Sequence, residues 1–199
     1  MKRLFVLCLA MLMAMCFFGC KEEKQIEPFN PDSTYYADIV IENYGTITVK
    51  LDQSAAPVTV ENFVKLARQG YYDGLTFHRI IEGFMMQGGA PKTTKDKADS
   101  IVGEFSANGY DNPLKHTRGA ISMARSNDMN SANSQFFIVH KDYPSLNGKY
   151  ACFGYVTEGM DIVDRICEEA QPSDSNGSIP ESQRPVIKTI TIREIKSEQ

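Results

Sequence analysis

The chain has 199 residues, 42% hydrophobic and 10% aromatic, which is enough for one well-buried domain and cramped for two. Its net charge of −4 lacks the basic footprint of a nucleic-acid partner and fits a soluble domain. No His-Glu-x-x-His, Cys-x-x-Cys or phosphate-cradling glycine loop occurs, so the sequence implies no metal and no cofactor.

At the start of the chain, Lys2 and Arg3 precede the unbroken apolar run Leu4 to Phe18 and then Gly19-Cys20. A run of 15 residues is short for a membrane-spanning helix, which needs roughly 20, and the order of charge, apolar run and small residue reads as a signal peptide over residues 1–19. Phe17-Phe18-Gly19-Cys20 resembles the bacterial lipobox, with aromatic residues at the two upstream positions. That resemblance implies an acylated Cys20 as the mature N-terminus, and hence an exported domain anchored by lipid to an extracytoplasmic membrane face. Residues 20–36 then form a lipidated N-terminus and flexible tether, since KEEKQIEPFNPDST is charged, proline-containing and without periodicity. Loss of Lys2 and Arg3 with the signal takes the net charge from −4 to −6.

The folded domain is expected over residues 37–196. Ile39, Ile41, Ile47, Val49 and Leu51 mark two β-rich runs around Asn43-Tyr44-Gly45, a hairpin signal. Pro57 suits a first helical position, Val60, Phe63, Val64 and Ala67 share one face, and Gly70 ends the helix. Short strands follow over residues 75–81, 84–87, 120–124, 135–140 and 151–156. A second helix is predicted over residues 160–169, with Met160, Val163, Ile166 and Cys167 as a core stripe. After the polar loop QPSDSNGSIPESQRP, the β-branched run Val186 to Ile195 supplies the last strand. Many short strands with two helices favour a mainly β fold, a closed antiparallel barrel whose ends the helices plug. With Cys8 and Cys16 lost and Cys20 lipidated, Cys152 and Cys167 remain, and they are read as buried free thiols rather than a disulfide.

The chemistry concentrates in FHRIIEGFMMQGGAP, residues 77–91, where Arg79 and Gln87 stand among large apolar side chains. An unpaired buried guanidinium is costly, so this is the composition of an apolar pocket with one placed donor. The alternative is an edge strand whose arginine lies in solvent. His78 is one residue from Arg79 and, on strict alternation, points to the other face, where a structural role suits it. Neither His116 nor His140 stands beside a nucleophile motif, which argues against a hydrolase. SNDMNSANS lacks the final glutamate of a calcium loop and reads as a turn.

A second constellation lies downstream: Ser122-Met123-Ala124-Arg125, Ser134-Gln135-Phe136-Phe137-Ile138 and Leu146-Asn147-Gly148-Lys149-Tyr150-Ala151-Cys152-Phe153-Gly154. Together with residues 77–91, these motifs resemble the cyclophilin family of peptidyl-prolyl cis-trans isomerases, in the family's order and over about residues 37–195. The resemblance implies an eight-stranded antiparallel β-barrel capped by two α-helices. It implies Arg79 as the catalytic residue and Phe84, Met85, Phe137 and Leu146 as the apolar walls of a proline pocket. Gln87 and Gln135 match groove amides that hold peptide backbone, Gln87 also steadying the Arg79 guanidinium. Ala124 and Arg125 match the edge beside which the peptide lies, and Tyr150 stands where the vertebrate pattern has histidine. Ser145 occupies a tryptophan position, which argues against strong cyclosporin binding. The implied partners are proline-containing segments of unfolded or exported proteins, met by a monomer. A binding module that holds such segments in the same groove without turnover, as a chaperone or adaptor, is the alternative.

Overall fold

The computed structural model describes residues 27–196; the signal segment, Cys20 and the first part of the tether lie outside the described residues. The expected hairpin forms from β1 (Thr34–Ile41) and β2 (Gly45–Leu51), with Asn43 at φ 64° and Gly45 at φ 127° turning the chain. β1 takes in residues 34–36, which composition alone assigns to the tether. The reason is Tyr35, fully buried, stacked on Phe29 at 5.0 Å and donating its hydroxyl to the Asn30 carbonyl at 3.1 Å.

Helix α1 (Pro57–Arg68) buries Val60, Phe63, Val64 and Ala67 as its spacing requires. It has no cap of its own, because Ala56 precedes it and its first turn holds no acid. Glu104 supplies the missing acceptor from a distant loop. Its carboxylate, in a residue only 1% exposed, accepts from the Val58 N–H at 3.1 Å, the Thr59 N–H at 2.8 Å and the Thr59 hydroxyl at 2.7 Å. A negative charge at the helix N-terminus also meets the positive end of the helix dipole.

The remaining elements are β3 (Phe77–Ile81), β4 (Met85–Gly88), β5 (Ala120–Met123), β6 (Phe136–Val139), β7 (Cys152–Glu158), α2 (Met160–Glu169) and β8 (Ile187–Ile195). All eight strands join one antiparallel sheet in the order β3-β4-β6-β5-β7-β2-β1-β8. The sheet curls into a half-barrel and stays open, not closed as its composition predicts. β3 and β8 meet only at their ends, through the Thr76–Val186 bridge and the bonds from Phe77 N–H to Pro185 O, from Ile187 N–H to Leu75 O and from Gly74 N–H to Ile187 O. Pro185 has no N–H to extend that ladder. Farther along, the outer edge of β3 is taken by a loop: Ile80 N–H donates to Gly177 O at 2.8 Å, and Ile179 N–H to His78 O at 2.9 Å. The exposed edge is thus covered without closure.

The inner face of the sheet holds the main core, with α1 and α2 packed into it. Phe63 of α1 lies 5.5 Å from Phe136 and 5.3 Å from Phe153. On α2, Val163, Ile166 and Cys167 are buried as the stripe predicts. Cys152 and Cys167 are both free and buried, and burial pushes their thiols up to about 11 and about 12, so both are inert. The outer face of β4, β5, β6 and β7 carries a second, smaller cluster built on Met85, Ala120, Phe137, Val139 and Cys152.

Adjacent residues feed the two clusters. Met86 and Phe136 enter the core, while Met85 and Phe137 enter the outer cluster, as the two-residue period of a strand dictates. β3 departs from that period. Phe77 pairs with Gly88 but Arg79 pairs with Gln87, so His78 is the extra residue of a β-bulge. On a regular strand without the bulge, Phe77 and Arg79, two residues apart, would share a face. With it, Phe77 is fully buried in the core and Arg79 faces outward. Phe77 also explains Gly88: a Cβ there would lie 2.8 Å from the Phe77 ring.

Replacing Glu104 with alanine leaves two helix N–H groups and a buried hydroxyl without their acceptor. Glu104→Ala is expected to lose about 2–3 kcal/mol of stability. Urea unfolding with an unchanged m-value checks this; a loss within error of zero would show that water replaces the cap.

Candidate active site

On the outer face, one small cavity of about 240 Å³ is lined by Arg79, Phe84, Met85, Gln87, Ala124, Arg125, Phe137, Leu146 and Tyr150. Nine of the ten residues selected from the sequence meet there. Gln135 stands behind the lining and accepts a 3.0 Å hydrogen bond from Gln87 Nε2. Larger hollows exist, including one of about 590 Å³ beside Lys50 and Asp52, so chemistry rather than size sets this cavity apart.

Arg79 reaches the cavity from β3, and its support differs from the expectation that Gln87 steadies it. Gln87 sits opposite Arg79 in the β3–β4 register, yet its side chain donates from Nε2 to Gln135 and makes no hydrogen bond to Arg79. The guanidinium is held instead by the 171–178 loop, Arg79 Nε donating to the Asn176 carbonyl at 2.7 Å. Nη1 lies 3.7 Å from Met85 Sδ, and the guanidinium carbon lies 5.7 Å from the Phe84 ring centroid. Nη2 makes no hydrogen bond to a described residue and is free to donate. A cation fixed at one nitrogen and free at another, against an aromatic face, is a preorganised donor.

The loop that holds Arg79 is tied by Asp174. Its Oδ1 accepts from the Asn176 and Ser178 N–H groups, both at 3.0 Å, and its carbonyl accepts from Gly177 N–H at 3.1 Å. The bonds from the Ser178 main chain, first among these, hold the Asp174 carboxyl below the usual carboxylate range. Gly177 has φ 84°, and a Cβ there would come within 2.4 Å of Ile81 Cγ1, so the loop can lie on β3 only with glycine at this point.

The cavity floor is apolar and backed by a histidine. Met85 is 1% and Phe137 5% exposed, and Phe137 meets Tyr150 edge-on at 5.8 Å. Beneath them His116 stacks on Phe137 at 5.9 Å, with Nδ1 3.1 Å from Asn147 Oδ1 and Nε2 3.0 Å from Ser122 Oγ. Asn147 Oδ1 also accepts from the His116 N–H, so Nδ1 carries the proton and Nε2 accepts from Ser122. Burial lowers the His116 pKa and keeps it neutral. On the far rim, Arg125 lies between Phe105 and Tyr150 at 5.1 and 4.8 Å. All three of its nitrogens are engaged, by Lys149 O and Ser126 O. Arg125 therefore shapes the rim as a strut tied to the main chain of Lys149 and Ser126.

Four of these supports, Asn176, Asp174, His116 and Asn147, are not among the site residues that the sequence points to. The Asp-Ser-Asn-Gly turn at residues 174–177 was the available signal for two of them. Among the described residues no group of three or more His, Cys, Asp or Glu side chains could hold a metal ion.

The chain matches the family described as "Cyclophilin type peptidyl-prolyl cis-trans isomerase/CLD" over residues 36–197. It is 43% identical over 127 residues to peptidyl-prolyl cis-trans isomerase B of Bacillus subtilis, covering 64% of this chain and 87% of that one. It is 40% identical over 159 residues to the isomerase-like 1 protein of Neurospora crassa, covering 79% and 95%. Longer fungal relatives match over a part only: 115 residues make up 20% of the isomerase-like 2 protein of Aspergillus oryzae. Among solved structures, a cyclophilin-type isomerase of Cryptosporidium parvum superposes with a TM-score of 0.68 at 32% identity, covering 80% of this chain and 98% of that one. A second structure of that protein, in the presence of the dipeptide Ala-Pro, gives a TM-score of 0.67. With the half-barrel, the two helices and the outer-face cavity in place, this chain belongs to the cyclophilin-type peptidyl-prolyl cis-trans isomerases.

Proposed function

We propose that the 240 Å³ cavity is the proline site, that Arg79 is its catalytic residue, and that the enzyme serves exported polypeptides from a lipid anchor. The observation that carries the catalytic assignment is the half-engaged guanidinium of Arg79, fixed through Nε and free at Nη2.

Rotation about a peptide bond faces a barrier of roughly 18–20 kcal/mol, set by amide resonance, and only before proline is the cis form common. In the twisted transition state the nitrogen regains its lone pair. A donor aimed at that nitrogen stabilises the twisted amide more than either planar one, which is what a rate requires. Phe84, Met85, Phe137 and Leu146 grip the pyrrolidine ring and exclude water that would solvate the planar carbonyl. Gln87, fixed by Gln135, and the main chain at Ala124 border the same cavity and suit the polar groups of the flanking peptide. No bond is broken and no proton is transferred, so the residues present suffice. The Ala-Pro dipeptide used with the Cryptosporidium parvum relative is consistent with a short proline-containing segment as ligand.

The anchor rests on residues 1–20: the basic pair, the apolar run and Gly19-Cys20. The Lys21-Glu22-Glu23-Lys24 segment and its continuation would carry the domain, as a monomer, away from the bilayer, where its clients are proline-containing segments of newly exported chains. Unaided proline steps in such chains take tens of seconds.

Arg79→Ala is expected to lower kcat/KM on an X-Pro tetrapeptide by roughly a hundredfold or more. Equal rates for the two proteins would remove the catalytic assignment and favour the chaperone or adaptor reading. Asp174→Ala loosens the loop behind Asn176 without touching the cavity. It should reduce kcat severalfold while KM holds, and an unchanged kcat would show that the loop does not position Arg79. Mass analysis of the mature N-terminal peptide is expected to find acyl chains on Cys20; an unmodified cysteine would eliminate the anchor.

A further inference from the structure

Beside the cavity lies an aromatic side chain that does not line it. Tyr143 is 39% exposed, one of five large apolar side chains so exposed among the described residues. Its ring centroid lies 4.3 Å from that of Phe84, with the planes 40° apart. Phe84 is thus bracketed, with Arg79 at 5.7 Å and Tyr143 at 4.3 Å.

The Tyr143 main chain is pinned on both sides. Its N–H donates to the His116 carbonyl at 2.8 Å, and its carbonyl accepts from Leu146 N–H at 3.1 Å. Pro144 then fixes the short 3₁₀ turn Pro144–Leu146 that ends at another wall of the cavity. The phenol hydroxyl has no partner among the described residues, so polar bonding does not account for its position. An aromatic ring with two rotatable bonds, held on a rigid turn and left open to solvent, costs little entropy to use in binding. The opposite rim is different, since Arg125 with the Lys149 and Ser126 carbonyls presents polar main chain there.

Consecutive Cα atoms are about 3.8 Å apart, so a residue next to a bound proline must leave the cavity over one rim or the other. We propose that Tyr143 is a specificity-determining side chain, a fixed aromatic shelf that receives a large apolar or aromatic residue adjacent to the proline on the Phe84–Leu146 rim. The substrate class is then proline segments flanked by Phe, Tyr, Leu or Met rather than by small or polar residues. This rests on the reading of the cavity as the proline site.

The test measures kcat/KM by exchange NMR for Ala-Xaa-Pro-Ala and Ala-Ala-Pro-Xaa, with Xaa Ala, Leu or Phe, on wild type, Tyr143→Ala and Tyr143→Phe. Wild type is expected to favour Phe over Ala at one flank by about three- to tenfold, the size of an aromatic pair. Tyr143→Ala should bring that ratio close to one, and Tyr143→Phe should keep it. Tyr143→Gln replaces the alanine variant if that one does not fold. A ratio that survives in Tyr143→Ala, including a uniform fall for every peptide, overturns the proposal and leaves Tyr143 as a prop for Phe84. The absence of any preference in wild type also overturns it. Failure of the underlying reading looks different: wild type and Arg79→Ala would then act alike on the all-alanine peptides.

Discussion

One extra residue in β3 sets the geometry on which the site depends. His78 opposes no partner of its own, and the bulge it makes lets Phe77 enter the core two positions before Arg79 enters the groove. A regular strand would force a choice between them. If Phe77 were inside, Arg79 would be inside as well, and an uncompensated guanidinium in an apolar core is among the costliest burials a fold can hold. The bulge avoids that conflict and aims the cation at Phe84 and the loop carbonyl of Asn176.

The rest of the site uses strands with two separate duties. Along β4 and β6, alternate side chains build the core on one face and the cavity on the other, so Met85 beside Met86 and Phe137 beside Phe136 are packed on both sides. This gives the cavity a floor almost as fully buried as the core. On the proposed reading of the cavity, a proline ring gripped by such walls would lose water without requiring the enzyme to reorganise. His116 extends the same logic below the floor. Neutral and hydrogen-bonded at both nitrogens, it fills space behind Phe137 and Tyr150 and takes no part in proton transfer.

The polar supports come from loops, and they come from far along the chain. Glu104 caps a helix more than forty residues before it, and Asn176 holds an arginine nearly a hundred residues before it. The open edge of β3 makes the second of these possible. Because β8 pairs with β1 and leaves that edge free, the 171–178 loop can lie against β3 and bring its carbonyl to Arg79. A closed barrel would have filled the place with strand.

Periodicity and local chemistry made much of this legible in advance. Both helices, all eight strands to within a few residues, and the apolar and cationic members of the cavity follow from spacing or from motifs that resemble those of the family. What escaped was pairing. Gln87 is well placed to be assigned to Arg79, and only the three-dimensional arrangement shows that its side chain donates to Gln135 instead. The same holds for the β3 bulge that separates Phe77 from Arg79 and for the expected closure of the barrel, while His78 faces away from the Arg79 cavity as expected. By itself the sequence determined which residues must be buried, where elements begin and end, and which side chains are chemically fit for a proline pocket. Only the tertiary structure decided which donor meets which acceptor. A hydrogen bond depends on position to within a fraction of an ångström, and that position is the sum of the whole fold rather than of the residues nearby.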